Sequence, residues 1–303
     1  MKSLNRANVL TRNTDWFAYR FITPVILFFI VWNVIPVFWM VGLGFYKYVM
    51  ISAHGPVFVG LKNYINILND VRIWNAFSKT FTFVVVGVFV ETCLGIFLGF
   101  LFWGSRNMPG RRFALTLLFA PMVLTPVASG LFFRLILDPT FGILNHILNT
   151  LFNIQINFLG KGFNAFASIL LVDIWMWTPF LIMMTLAALG SVPSAELEAA
   201  DIDRLPFISK FRYIIWPHGK FILILGILLR TIESFKSMDV VFTMTFGGPG
   251  NATELLGIAL YRKAFESFKM GESSALSIIA LLVAIGFTAI FLEILNKRKK
   301  VEG

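Results

Sequence analysis

The chain has 303 residues, of which 57% are hydrophobic and 14% charged, and its mean hydropathy is +0.79. A soluble domain carries roughly a quarter charged residues, so a water-exposed globule is excluded and a bilayer must absorb the apolar surface. The net charge of +10 is spread over loops and ends; no basic face is concentrated, which excludes a nucleic-acid-binding protein.

In chain order, residues 1–16 read as a polar, basic segment at the membrane surface. Six apolar stretches follow, near 21–46, 80–103, 113–136, 166–189, 217–239 and 273–295. Each reaches the roughly 20 residues that a crossing needs. Backbone amides in hydrocarbon need internal partners, so these uniformly apolar runs read as helices. The fold class is therefore an all-α integral membrane protein of six transmembrane helices. The first span is too long for the apolar region of a signal peptide and is read as retained. Span two carries Glu91 and Gly95-x-x-x-Gly99, a spacing that lets helix backbones approach. Pro121 and Pro126 in span three and Pro179 in span four are expected to kink their helices. The domain reading is a segment 1–16, a membrane domain 17–296 with a polar loop at 190–217, and a basic tail 297–303.

With both ends inside, the inner segments hold fifteen Lys and Arg and the outer loops eight. That asymmetry puts the 190–217 loop in the cytoplasm. Cys93 is alone in a span, and His54, His146 and His218 fall in separate loops. No metal site and no catalytic residue is expected, and no phosphate-binding Gly-Lys-Ser/Thr loop exists for ATP.

Charges within the spans are the candidates for a solute path. Arg230, Glu233, Lys236 and Asp239 recur every three residues in alternating sign, a spacing that allows pairing along one stripe. Asp173 lies beside Trp175 and Trp177 in span four, and Arg134 lies in span three. Aromatic faces and polar groups suit a sugar. A self-neutralising ladder snorkelling to the interface is the preferred reading for Lys236 and Asp239. That leaves Arg134, Asp173, Trp175, Trp177, Arg230 and Glu233 as the path candidates. An Asp173–Arg134 pair serving architecture alone is the competing reading.

The loop between spans four and five has its own logic. Pro193 suits a first turn, Glu196 lies at the helix's positive end, and Ala199 and Ala200 leave room for a partner surface. Glu198, Asp201 and Asp203 offer carboxylates to basic groups on that partner. Written as a pattern, Glu198-Ala199-Ala200, three residues, Arg204, nine residues, then Ile214-Ile215-Trp216-Pro217 resembles the coupling loop of permease subunits from binding-protein-dependent ABC importers. Phe58 to Tyr64 and Thr245 to Glu254, with its Gly247-Gly248-Pro249 turn, resemble the maltose/glycerol-phosphate-type carbohydrate family.

The resemblance implies a type I importer bundle and the transport of a carbohydrate or polyol derivative. It also implies a second permease in a heterodimer, two ATPase subunits holding ATP and Mg, and an extracytoplasmic solute-binding protein. This chain itself would perform no covalent chemistry and would sit, with membrane lipid around it, in a bacterial or archaeal inner membrane. Arg204 and Trp216 stand where the family pattern has Gly and Leu. Because Pro206 favours an extended Leu205, the turn is expected at Leu205-Pro206. The competing functions are a permease for a non-sugar solute, an intramembrane enzyme acting on lipid-linked sugars, and a passive channel.

Overall fold

A computed structural model describes residues 19–104 and 109–299. The expected segment 1–16, Arg106 and residues 300–303 of the tail lie outside the described residues. Two compact units divide the chain: Met1–Asn69 with Lys263–Ile279, and Asp70–Arg262 with Ala280–Gly303.

The first unit opens with the apolar helix α1 (Tyr19–Leu43). A wide π-helical turn at Ile30–Val34 precedes Pro36, which lacks the N–H an ordinary α-turn would use. A short hairpin follows, β1 (Tyr46–Lys47) antiparallel to β2 (Val57–Phe58), then helix α2 (Lys62–Leu68). The Gly60 to Tyr64 motif works here as a latch. Gly60 turns the chain at φ +58°. Asn63 is buried and donates its amide to the carbonyls of Gly44 and Tyr46, 2.9 Å each. The unit also holds the start of the last helix, where a Cβ on Gly271 would lie 2.0 Å from the Tyr46 carbonyl oxygen.

The second unit is helical. It contains α3 (Val71–Gly104), α4 (Arg111–Val123), α5 (Pro126–Ile136), α6 (Ile143–Phe152) and α7 (Gly162–Gly190). Then come α8 (Ser194–Ile202), α9 (Phe207–Phe235), α10 (Asp239–Met244) and α11 (Leu256–Tyr261). The last helix, α12 (Met270–Lys299), begins in the first unit and ends in this one. Among the described residues five helices are long and apolar enough to cross a membrane, or six when the bent pair α4–α5 is counted as one span.

That pair corrects the expected third span. Residues 113–136 do not form one kinked rod, because α4 and α5 meet at 98°. Pro126 excludes Thr125 from helical geometry, and both Leu124 and Thr125 are extended. The Thr125 hydroxyl then caps α5, accepting from the Ala128 amide at 3.3 Å. Pro179 sits inside α7 without ending it. The expected fifth span was also misplaced: α9 starts at Phe207, ten residues before Pro217. A wide turn at Phe211–Ile215 accommodates the missing Pro217 N–H.

Small residues fix the packing. A Cβ added to Gly95 would lie 2.6 Å from Leu181 Cβ, and one on Gly99 would lie 2.5 Å from Thr185 Cγ2. On a neighbouring face of α7, a Cβ on Gly226 would lie 2.7 Å from Met184 Cγ. Helix α7 is thus held against α3 and α9 by backbone approach, the device open to helices that share an apolar solvent. The apolar core gathers Phe83 of α3, Ile169, Val172 and Met176 of α7, Val241 of α10 and Ile258 of α11.

Candidate functional site

Glu91, Asp173 and Arg230 meet inside the bundle. Arg230 is 1% exposed, Glu91 0% and Asp173 1%. The guanidinium forks onto Glu91, Nε to Oε2 at 2.6 Å and Nη2 to Oε1 at 2.8 Å, and Nη2 also donates to Asp173. The Trp177 ring covers the guanidinium carbon at 5.0 Å. A charge at this depth is tolerated only when paired and hydrogen-bonded, and the planar fork of arginine allows both carboxylates to be served at once.

From the sequence, Glu91 was placed in span two but not among the candidate residues, and its part here was missed. The signal was present: Gly87, Glu91, Gly95 and Gly99 recur every four residues, so Glu91 lies on the face that α3 presses against α7.

Of the six residues expected along a solute path, Asp173, Trp177, Arg230 and Glu233 line one cavity of about 180 Å³, joined by Lys236 and Asp239. Arg134 and Trp175 are not among its lining. Arg134, carried past the elbow on α5, donates to the Thr243 carbonyl at 3.3 Å. Asp173 pairs with Arg230 and not with Arg134, the pairing held as an alternative to solute contact. Trp175 packs edge-on against Phe133, ring centroids 5.0 Å apart. The charge stripe is broken as well. Lys236 reaches Glu233 at 2.9 Å with both side chains more than half exposed, whereas Arg230 turns inward. Asp239 begins a separate helix, since α9 stops at Phe235.

At the other end of α7 and α9 stands α8. Glu198, Ala199, Asp203 and Arg204 are exposed, as is Pro217 near the base of α9. Ala200 does not face outward as expected; it is 2% exposed and packs inward. Asp201 is engaged by Lys210 of the same chain. Apolar side chains that the sequence reading passed over stand beside the acids, with Ile202 81% and Ile208 76% exposed. The loop is braced by Leu189, Val192 and Ile215, with Leu197 against them, and His218 Nε2 lies 3.4 Å from Glu196.

The turn after α8 also differs from expectation. Arg204 itself adopts the left-handed conformation, φ +51°, rather than passing the turn to Leu205-Pro206. The Leu205 amide donates to the Ala200 carbonyl at 3.0 Å and the Arg204 amide to Asp201 at 3.1 Å. This pair of bonds is the Schellman closure, and its stabilisation of orphan carbonyls outweighs the cost of a side chain in that conformation. Arg204→Gly removes the strain and is expected to raise stability by about 1 kcal/mol, read as an upward shift of the thermal unfolding midpoint.

A second ion cluster fixes the Thr245 to Glu254 segment. Buried Glu254 accepts from Arg72 Nη2 at 2.7 Å and from Arg262 Nη1 at 3.1 Å. Lys79 donates to the Asn251 carbonyl.

Helices long and apolar enough to cross a bilayer, a charged cavity lined from α7, α9 and α10, and a short exposed helix between α7 and α9 define a multi-pass membrane protein. No protein-family model matches the chain. The trehalose/maltose transport system permease protein of Thermococcus litoralis is 30% identical over 279 residues, 91% of this chain and 92% of that protein. The sulfoquinovosyl glycerol transport system permease protein of Agrobacterium fabrum is 28% identical over 267 residues, 88% and 85% of the two chains. Among solved structures, a bacterial ABC transporter that imports the acidic polysaccharide alginate has a chain of the same fold. It superposes with a TM-score of 0.78 at 16% identity, over 94% of this chain and 96% of that one. The chain belongs to the permease subunits of binding-protein-dependent ABC importers, in their maltose/glycerol-phosphate-type carbohydrate family.

Proposed function

We propose that this chain moves a carbohydrate or polyol derivative through the membrane as one half of a permease heterodimer. Two separate ATPase subunits, holding ATP and Mg, drive it, and an extracytoplasmic binding protein delivers the solute. In this reading residues 17–296 form the transport domain, both termini are cytoplasmic, and the membrane is the inner one of a bacterial or archaeal cell. The names of the relatives support the cargo class. So does the cavity, where the Asp173, Glu233 and Asp239 carboxylates can accept from hydroxyls beside the Trp177 ring.

The observation that carries the proposal is α8 itself: a nine-residue helix exposing Glu198 and Ile202, with Asp203 exposed at its end and Ile208 exposed at the start of α9. Exposed apolar side chains next to unpaired acids mark a protein-binding surface. ATP-driven closure of the motor dimer would displace α8. Its brace on Leu189 and Ile215 would pass the movement to α7 and α9. Those helices carry Asp173, Trp177, Arg230 and Glu233, so the stroke would reach the cavity directly along α7 and, along α9, by way of the widened turn at Phe211–Ile215.

Ile202→Cys, combined with cysteines placed on the surface of the ATPase, is expected to give a disulfide cross-link in the assembled transporter, strongest in one nucleotide state. A cysteine at Leu135, exposed on α5, is the control and should give none. Equal cross-linking at both positions would remove α8 from the coupling role, and uptake of labelled oligosaccharide into proteoliposomes checks the cargo.

A further inference from the structure

The first unit holds a cavity of about 380 Å³ that the transport path does not use. Lys47, Lys62 and Lys269 open into it, with Asn63, Asn66 and Glu272. Its single acid is already matched: Glu272 lies 3.0 Å from Lys263 and 3.4 Å from Lys269. The ammonium groups of Lys47 and Lys62 make no hydrogen bond or ion pair among the described residues. The walls are fixed by the Asn63 latch, by the Gly271 amide donating to Tyr48 at 3.2 Å, and by the Met50 amide donating to Phe268 at 2.9 Å. Two unmatched ammonium groups therefore face a built polar basin.

Chain connectivity sets the depth of this basin. Lys47 comes four residues after α1 ends at Leu43, and Lys269 immediately precedes α12 at Met270. Both helices are long enough to span, so the basin lies at the rim of the bilayer, at headgroup level. Beside it α2 turns an apolar stripe outward. Leu61, Ile65 and Leu68 are 61%, 55% and 51% exposed, and Phe58 of the hairpin is 66% exposed. An apolar stripe edged by lysines at the end of a span is the pattern of a segment lying in the interface. A water-borne partner would leave that stripe uncovered, whereas the acyl boundary covers it.

We propose that this basin holds the phosphate of an anionic lipid, with Lys47 and Lys62 supplying the charge and Asn66 a hydrogen-bond donor. Lysine binds phosphate as a point charge and needs no bidentate geometry, so the site selects headgroup charge over headgroup shape. A zwitterionic lipid carries its own cation and gains little from the two lysines.

The test is native mass spectrometry of the full-length protein in its assembled transporter, titrated with phosphatidylglycerol, phosphatidylcholine of the same acyl chains, or inorganic phosphate. Phosphatidylglycerol is expected to bind and phosphatidylcholine not to at equal concentration. Removing each lysine should weaken binding about fivefold, so Lys47→Gln with Lys62→Gln weakens it about 25-fold. Lys161→Gln, a basic residue outside the basin, leaves binding unchanged. If the double variant does not accumulate, Lys62→Gln alone gives the same reading at about fivefold. Phosphatidylglycerol binding that ignores these variants overturns the proposal. So does equal binding of both lipids. Tighter binding of inorganic phosphate than of lipid would hand the basin to a soluble anion. Protection of Lys47 and Lys62 from acetylation by a soluble transporter component, and not by phosphatidylglycerol, would hand it to a protein.

Discussion

Arg230→Met is expected to destabilise the protein by about 3–5 kcal/mol, because it strands two buried carboxylates that share one guanidinium. The measurement is the thermal unfolding midpoint of the purified transporter, together with the amount that accumulates in the membrane. Arg230 holds Glu91 by two bonds, 2.6 and 2.8 Å long, and Asp173 by another, so no other residue can serve both acids once it is gone. The loss should be largely reversed by neutralising the acids as well, in Arg230→Met with Glu91→Gln and Asp173→Asn. Replacing a whole buried ionic cluster is often neutral, whereas removing one member is not. A single Arg230→Met that accumulates and melts like the parent would show that water reaches the cluster and that the three charges are not mutually dependent.

Glu198→Lys is expected to abolish solute-stimulated ATP hydrolysis of the reconstituted transporter while leaving membrane insertion intact. Glu198 is exposed near the middle of α8 and has no ion pair among the described residues, so inverting its charge should leave the fold untouched. If Glu198 faces a basic partner surface, as proposed, reversal replaces that attraction by a repulsion that costs several kcal/mol at a docked interface. Asp201→Lys is the informative contrast. Its carboxylate is engaged by Lys210, so part of that loss would come from the loop rather than from docking. Normal stimulated hydrolysis in Glu198→Lys would remove this residue from the coupling surface.

The sequence disclosed what repeats and what is long. Apolar runs about 20 residues in length gave the spans, since no other structure satisfies backbone in hydrocarbon. Gly95-x-x-x-Gly99 gave a packing face that the structure places against Leu181 and Thr185. Partner choice at long range was hidden. Asp173 could have met Arg134 or Arg230, and the 98° elbow at Leu124-Thr125 decides between them by directing Arg134 toward Thr243. A proline announces such an elbow without giving its angle. Arg204 was misjudged for a different reason: the cost of its left-handed φ is local, while the gain from the Leu205 and Arg204 amide bonds appears only once the helix exists. Ala200 illustrates the same gap, because a small residue beside a partner and a small residue beneath its own loop look alike in one dimension.

The close meshing of α3 with α7 at Gly95 and Gly99 bears on how the machine can move. Backbones this near cannot slide without collision, so these two rods must travel as one rigid block through the working cycle. Flexing then falls to joints where the regular ladder is already interrupted, at Leu124-Thr125 and at the widened turn Phe211–Ile215. The second of these hinges lies at the foot of the very rod that bears Arg230.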